Sequence, residues 1–224
     1  MIRIPNFTYL LKQVAPHLSK DTTTPVLCGI HLEVDGRTLY AAATDRYTIA
    51  IARHHDQDVT PAPAEHWNAT LTRADLKAVN ALTPAWRGEA HTLTHDGTGL
   101  IIELGGRTIA LHGEDHPGTF PKWRPLLRSA MDSGPHLTDD LALNPAYLAR
   151  WGSALHGEDR YTPLTVWTAG PTKPLVIARG PNFIGLQMPV INPAKGTSLP
   201  TRDTIRAAWA TTLATPPAAL RAAA

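Results

Sequence analysis

Apolar and polar residues alternate in three neighbouring segments near the start of the chain. Gly29–Val34 alternates and ends at Asp35-Gly36, a dipeptide typical of a tight hairpin turn. Thr38–Ala43 and Tyr47–Arg53 follow with the same period of two. Because side chains of a strand point alternately to its two faces, the pattern predicts successive antiparallel strands.

The same strand pattern recurs twice farther along the chain. Turn dipeptides such as Asp96-Gly97 and Gly105-Gly106 separate its members. The further predicted strands are His91–His95, Gly99–Leu104, Arg107–Leu111, Leu164–Thr168, Pro174–Ala178 and Phe183–Met188.

A short helix is predicted ahead of each group of strands. Asn6 is the expected N-cap of a helix over Phe7–Leu18, and Thr72–Asp75 has the form of a capping box with aspartate in place of glutamate. Asn144-Pro145 places a cap and a first-turn proline before a third helix. The residues predicted to face inward are Leu10, Leu11 and Val14, then Leu76, Val79 and Leu82, then Leu148, Trp151 and Leu155.

These elements predict an α+β fold in which one unit, a strand, a short helix and three more strands, occurs three times. Leu71–Leu76 aligns with Leu143–Leu148, which supports the repeat. Because such a unit buries its apolar face only against another unit, we expect residues 1–127 to pair two units, helix beside helix under two sheets. Residues 128–191 are a third unit without a partner unit, and residues 192–224 are a C-terminal extension with a helix at 201–214.

Composition supports a folded chain. Of the 224 residues, 43% are hydrophobic and 18% are charged, which excludes disorder, collagen and coiled coil. The net charge of +2 permits a nucleic-acid partner without requiring one. A single cysteine, Cys28, excludes an internal disulfide. Since no apolar run reaches the length of a membrane span and no signal peptide is evident, we expect a cytoplasmic protein with no membrane partner.

The sequence holds no established catalytic motif. It lacks a glycine-rich phosphate loop, a Gly-x-Ser-x-Gly elbow and a paired-cysteine motif. Two His-Gly-Glu-Asp segments, at residues 112–115 and 156–159, resemble metal ligands but lie in predicted loops. Asp45, in a turn between two strands, is expected to cap backbone amides. We therefore predict a binding protein with no enzymatic activity, no metal and no cofactor.

Several short segments, taken together, resemble the bacterial DNA polymerase III β subunit, the sliding clamp. They occur in the family's order and cover about residues 5–191, which correspond to the family's middle domain and the second half of its C-terminal domain. The segments are Thr24–Ile30, Ala43–Ala50, Gly118–Arg124, Asn144–Leu148, Lys173–Ile177 and Gln187–Val190. The resemblance implies clamp-like repeats, as one full clamp domain plus a half-domain.

The resemblance also implies a peptide-binding cleft. In the family, a cleft between the middle and C-terminal domains receives short peptides from polymerases, the clamp loader and repair proteins. The matching positions are Thr44, Arg46, Tyr47, Ile49, Pro121, Arg124, Met188, Pro189 and Val190. The pair Arg46-Tyr47 is bulkier and more polar than the Gly-His or Gly-Tyr pair that is usual at this turn in the family. The alternative, that these residues form only the packing core between domains, stays open.

A DNA-facing surface is the second implication. The family's ring encloses duplex DNA, and lysine and arginine on its inner helices contact phosphates without reading bases. The corresponding candidates are Lys12, Lys20, Arg73, Lys77 and Arg150. The alternative is that these charges form an ordinary solvated helix face.

Two functions follow, and both stay open. The first is a non-enzymatic, sliding-clamp-like protein of DNA replication or repair that binds partner peptides and closes a ring around DNA as a homo-oligomer. The second is a monomeric clamp mimic, of phage or mobile-element type, that binds clamp partners without encircling DNA. A third class, an enzyme using the His-Gly-Glu-Asp loops, would require bound metal.

Overall fold

A computed structural model of the chain describes residues 1–56, 65–82, 90–97, 99–111, 119–133, 141–153, 162–168, 170–191, 198–199 and 201–213. Both His-Gly-Glu-Asp loops and Leu155 lie outside these residues. Across the described ranges, no cluster of three or more histidine, cysteine or acidic side chains could hold a metal ion. Within the same ranges, each helix is too short or too polar to cross a membrane.

The described residues form strands β1–β11 and helices α1–α5 in the order that the repeat predicts for the first two units. The strands are β1 Ile2–Pro5, β2 Ile30–Gly36, β3 Thr38–Thr44, β4 Thr48–His55, β5 Glu65–Leu71, β6 Ala90–His95, β7 Leu100–Leu104, β8 Arg107–Leu111, β9 Thr165–Thr168, β10 Leu175–Arg179 and β11 Phe183–Gln187. The helices are α1 Phe7–Val14, α2 Arg73–Leu82, α3 Trp123–Asp132, α4 Pro145–Ser153 and α5 Arg202–Leu213.

The leading strands of the first two units are exchanged between them. β1 is antiparallel to β6 of the second unit, with Ile2 opposite Leu93, in a sheet of order β1-β6-β7-β8. β5 is antiparallel to β2 of the first unit, with Leu71 opposite Ile30. Each unit therefore completes the backbone hydrogen bonding of the other.

The third unit continues the sheet of the first unit. Strand β11 is antiparallel to β4, with Phe183 opposite Ala52 and Gln187 opposite Thr48. The resulting sheet has seven strands, in the order β5-β2-β3-β4-β11-β10-β9. We call this pairing of residues 48–52 with residues 183–187 the β4–β11 junction.

Apolar side chains cover both faces of the sheet at the junction. Alternate residues such as Ala50 and Ile177 belong to the core under α1, whereas Ile51 and Val176 belong to a second cluster under α3. Trp151 of α4 is buried beside the junction, and its indole Nε1 donates to Gln187 Oε1 at 2.7 Å. The third unit is thus joined to the first by backbone pairing and by a shared core.

The start and the end of the first helix differ from the prediction. Asn6 does not act as a side-chain N-cap, because its backbone turns into the left-handed region at φ 64° and its carbonyl accepts from Tyr9 N instead. α1 ends at Val14, and a 3-10 turn follows, because Pro16 lacks an N–H and crowds the preceding turn. Lys20, a candidate for a DNA contact from a helix, lies in the loop that follows.

The other two predicted helix starts are confirmed. Thr72 N donates to Asp75 Oδ2 at 2.8 Å and Asp75 N to Thr72 Oγ1 at 3.1 Å, which completes the capping box. Asn144 Oδ1 accepts from Ala146 N at 2.9 Å. The inward orientation predicted for Leu148 is wrong, since that side chain is 43% exposed. The inward side of α4 is formed instead by Tyr147, Arg150 and Trp151.

Candidate functional site

The β4–β11 junction brings the two halves of the predicted cleft together at one end. Met188 N donates to Tyr47 O at 2.9 Å, so the Thr44–Thr48 turn lies beside the Met188–Val190 segment. Val190 N donates to Ala142 O at 2.8 Å and holds that segment against the residues before α4. Pro189 is buried, and Met188 and Val190 are partly buried.

The turn between β3 and β4 is fixed by Asp45, as predicted. Its Oδ1 accepts from the backbone N–H groups of Tyr47 at 3.1 Å and Thr48 at 2.8 Å. Thr44, which is buried, donates its hydroxyl to Thr48 O at 2.7 Å. Arg46 adopts φ 78°, a conformation that favours glycine. The backbone thus keeps the shape of a glycine turn although this chain has arginine there.

Arg150 of α4 completes the same turn. Its Nη1 donates to Asp45 Oδ2 at 2.6 Å and to Thr48 Oγ1 at 2.9 Å. Burial alone would raise the pKa of Asp45, but the hydrogen bonds from Arg150 and Thr48 outweigh burial and hold the pKa below its usual value. The guanidinium of this DNA-facing candidate is therefore directed at the turn.

Aromatic side chains lie on the outer side of the turn. Tyr47 is 56% exposed, and its ring stacks on Tyr147 at a centroid distance of 5.5 Å. Arg46 Nη1 lies 3.6 Å from Asp21 Oδ2, and its Nη2 donates to Thr24 Oγ1. The turn therefore presents the exposed ring of Tyr47. The positively charged side chains near it are already paired, Arg46 with Asp21 and Arg150 with Asp45.

Helix α3 covers the apolar base of the predicted cleft. Ile49 and Leu186, from the two strands of the junction, are buried in one cluster with Trp123 and Leu127 of α3. Leu126, next to Leu127, is 49% exposed. The structure thus buries Ile49 beneath α3 and leaves Leu126 of that helix exposed.

The Phe-Pro segment before α3 is anchored on β2. Phe120 is buried and stacks on His31 at 4.6 Å, and Pro121 is partly buried. Arg124 Nη1 donates to the two carboxylate oxygens of Glu33 at 2.6 and 2.7 Å. Burial lowers the pKa of Arg124, but its hydrogen bond and charge interaction with Glu33 raise it to a value above normal. Arg124 thus fastens α3 to the sheet.

The remaining DNA-facing candidates are spread over the helices of the first two units. Lys12 on α1 and Lys77 on α2 are exposed. Arg73, at the start of α2, donates to Ser19 O at 2.8 Å. With Lys20 in a loop and Arg150 at the Asp45 turn, these five residues do not form one cluster of contacting side chains.

Sequence reasoning did not find Tyr147, Leu126 or Leu127. Tyr147 lies within the Asn144–Leu148 segment, but only its contact with Tyr47 identifies it as a site residue. Trp123, Leu127 and Ala130 have the i, i+4, i+7 spacing of one helix face, which is a signal for α3 that Pro125 obscures.

No protein-family model matches this sequence. Several solved structures, however, are similar to this chain. The DNA polymerase sliding clamp of Bacillus subtilis is similar at 16% identity and a TM-score of 0.67, with 86% of this chain and 64% of that chain covered. The fold is that of a bacterial sliding clamp. The Helicobacter pylori β clamp, bound to a DNA ligase peptide, is similar at 15% identity and a TM-score of 0.64, with 85% and 65% covered.

The similarity to these structures is one of fold, and it covers only part of a clamp subunit. A DNA polymerase III β subunit from Thermotoga maritima is similar at 14% identity and a TM-score of 0.63, with 86% of this chain and 66% of that chain covered. The chain spans about 64% of the length of the Bacillus subtilis clamp. These matches confirm the α+β clamp fold predicted from the repeat and the resemblance to clamps.

Proposed function

We propose that the protein is a non-enzymatic, sliding-clamp-like accessory factor of cytoplasmic DNA replication or repair. It binds the clamp-binding peptides of polymerases or repair proteins beside the β4–β11 junction. The observation that carries this proposal is the hydrogen bond from Met188 N to Tyr47 O, which brings the two predicted halves of the cleft together. A clamp of the same fold has been solved with a DNA ligase peptide, which supports a peptide as the ligand.

The exposed rim suits an extended peptide with apolar anchors. Tyr47 offers an exposed ring, and Met188 and Val190 are partly buried in the segment whose Met188 N donates to Tyr47 O. Methionine and aromatic side chains adapt to different apolar anchors, which fits a surface that serves several partners. Ile49, buried under α3, supports this surface from below.

Calorimetry with a polymerase-derived clamp-binding peptide tests the proposal. We expect binding by the unmodified protein and a loss of about 10-fold or more in Tyr47→Ala and in Met188→Ala, because truncation of an interface anchor commonly costs this much. Val166→Ala is the matched control, since Val166 is 51% exposed on β9 at the far edge of the sheet. No binding, or equal binding by all variants, would refute the peptide site.

The placement of the DNA-facing candidates favours a second candidate, a monomeric clamp mimic that binds clamp partners without encircling DNA: Arg150 is paired with Asp45, and Lys20 lies in a loop. The first candidate closes a ring around DNA as a homo-oligomer, with Lys12, Lys20, Arg73, Lys77 and Arg150 as candidate DNA contacts. Sedimentation at working concentration separates the two: an oligomer supports the ring, and a strict monomer that binds the peptide supports the mimic. Clamp loader binding would be expected of the ring.

A further inference from the structure

Strand β9 is the last strand of the seven-stranded sheet, at the end opposite β5. In the part of the chain that the structure describes, it pairs on one side only, with β10, where Val166 lies opposite Ile177. Val166 is 51% exposed although it points to the α1 side of the sheet. Residues 165–167 therefore present an open backbone edge beside an exposed apolar side chain.

The equivalent strands of the first two units are covered on this side. β9 follows helix α4 as β2 follows α1 and β6 follows α2. β5 pairs with the outer side of β2, and β1 pairs with the outer side of β6. In both cases the covering strand is the leading strand of another unit. The repeat thus indicates that the outer side of β9 also takes a strand from another unit.

The leading segments of this chain are already engaged elsewhere. β1 and β5 cover β6 and β2. In the third unit, Ala142 O accepts from Val190 N at 2.8 Å, and Leu141 and Leu143 pack on the core under α1. Val190 follows β11, which is two strands away from β9 in the sheet. Since none of these described segments is left to cover β9, the covering strand is best supplied by a second molecule.

The residue composition of β9 differs from that of the other edges. Of the four edge strands that the structure describes, three carry a charged residue or a proline: Arg3 and Pro5 in β1, Glu65 in β5 and Arg107 in β8. Such residues discourage pairing with another chain. The β9 sequence, Thr-Val-Trp-Thr, has neither and consists of residues that favour strands. This edge is therefore suited to pairing with another strand.

We propose that β9 pairs with β9 of a second copy of this chain, antiparallel and about a two-fold axis. Such a pair is self-complementary, because both molecules use the same edge. An axis perpendicular to the sheet places one residue of β9 opposite itself, and Val166, with its exposed apolar side chain, is that residue. Thr165 then lies opposite Trp167 of the partner subunit, a β-branched and aromatic pair that stabilises adjacent strands.

This dimer goes beyond the proposed function and does not depend on the peptide cleft. Strands β10 and β11 separate β9 from β4, and so from the turn that carries Tyr47. Pairing through β9 should therefore leave peptide binding unchanged. It also joins the third units of two molecules, which are the units that have no partner unit within the chain.

Analytical ultracentrifugation of the full chain, over a range of protein concentrations, tests the dimer. We expect a reversible monomer–dimer equilibrium, and a dissociation constant raised about 10-fold or more in Val166→Lys, because like charges then meet across the axis and the apolar pair is lost. Val166→Glu should weaken the dimer for the same reason. Thr108→Lys is the matched control, since Thr108 is also exposed and lies on β8, an edge strand of the other sheet.

A mixture of the Val166→Lys and Val166→Glu proteins tests the two-fold pairing itself. Opposite charges face each other in the mixed dimer, so it should form more tightly than the dimer of either variant alone. Thr165→Lys, at an exposed position on the other face of β9, is a further disrupting variant if changes at Val166 prevent folding.

Three results would overturn the β9 pairing. They are a strict monomer or an assembly larger than a dimer in the unmodified protein, equal dissociation constants in Val166→Lys and Thr108→Lys, and a mixture that associates no better than its two components. Calorimetry with the clamp-binding peptide on the same proteins keeps the two proposals apart. A monomer that still binds the peptide refutes only the dimer, and a dimer that does not bind it refutes only the peptide cleft.

Discussion

Gly185 lies where strand β11, α4 and β4 come closest together. A Cβ atom at this position would lie 2.5 Å from Trp151 Cη2 and 2.8 Å from Trp151 Cζ3, and it would also overlap the carbonyl oxygen of Ile49. The backbone oxygen cannot move away without breaking the β4–β11 pairing. Glycine is therefore required at this position by close packing.

We expect Gly185→Ala to lower the free energy of unfolding by about 1–3 kcal/mol or more, the usual cost of overpacking a core. Gly152→Ala is the matched control, because a Cβ at Gly152 meets nothing within 4 Å on helix α4. That change should stabilise the protein by about 0.5–1 kcal/mol, since alanine favours helix and reduces the freedom of the unfolded chain. Urea unfolding measures both, and equal effects would contradict the packing argument.

His17 is a fully buried histidine at the same junction. Its ring packs on Trp151 at a centroid distance of 4.4 Å. Burial and, to a smaller extent, the positive charge of Arg150 together lower the pKa of His17 to about 3, although the negative charge of Asp45 opposes them. His17 therefore stays neutral in the folded protein over a pH range where the unfolded chain takes up a proton.

Stability should accordingly fall as the pH is lowered from about 6.5 towards about 3, because the unfolded state binds the extra proton in this range. At pH 5 the contribution of His17 amounts to about 2 kcal/mol relative to pH 7. Urea unfolding of the unmodified protein and of His17→Leu at pH 5 and pH 7 measures this contribution. It is the amount by which the free energy of unfolding changes more between the two pH values in the unmodified protein than in the variant. The pKa values of His31 and His91 are also lowered by burial, so the variant keeps part of the pH dependence. Identical pH dependence in the two proteins would contradict the prediction.

At the scale of elements, helix α3 gives the sheet its second apolar cover. Trp123, Leu127 and Ala130 are buried against the sheet, while Leu126 and Met131 are exposed. Arg124 also lies over the rings of Tyr40 and Trp123, at 4.9 and 4.2 Å from their centroids. The helix is thus held by an apolar side and by one paired arginine.

Leu127→Ala should lower the free energy of unfolding by about 2–4 kcal/mol, because it leaves a cavity between α3 and the β4–β11 junction. Leu126→Ala, one residue earlier, should change it by no more than about 0.5 kcal/mol. Thermal or urea unfolding of the two variants distinguishes them. Similar decreases in the free energy of unfolding would mean that α3 does not pack on the sheet through the face that carries Leu127.

Most strands and two helix starts could be predicted from local sequence. Asp35-Gly36 specifies a hairpin, and Gly36 indeed adopts φ 62° between β2 and β3. Thr72 and Asp75 satisfy each other within four residues, so their capping box needs no distant partner. Such signals are local because the groups that form the hydrogen bonds are close in sequence.

The features that escaped prediction depend on distant partners. The repeat predicts a leading strand in each unit, but not that β1 pairs with β6 and β5 with β2 of the other unit. α3 is a helix because an apolar sheet face lies beneath Trp123 and Leu127, and Pro125 disguises it in the sequence. Met188 approaches Tyr47 because β4 pairs with β11. Only the resemblance to clamps implied that these two residues lie close together.

At the scale of the molecule, one sheet passes through the first and third units. The core under α1 likewise includes Leu32 of the first unit, Leu93 of the second and Ile177 of the third. We therefore expect a single cooperative thermal transition, with calorimetric and van't Hoff enthalpies equal. Differential scanning calorimetry tests this expectation, and two resolved transitions would show that the third unit unfolds separately.

The β4–β11 pairing also sets a condition on synthesis. Strand β4 is complete at His55, but its partner begins only at Phe183. Throughout translation of the second unit, one edge of β4 exposes unpaired backbone groups next to Ile49 and Ile51, an arrangement that invites pairing with another chain. A ribosome that pauses before β11 emerges would therefore hold the nascent chain with this edge exposed, and completion of β11 removes that hazard.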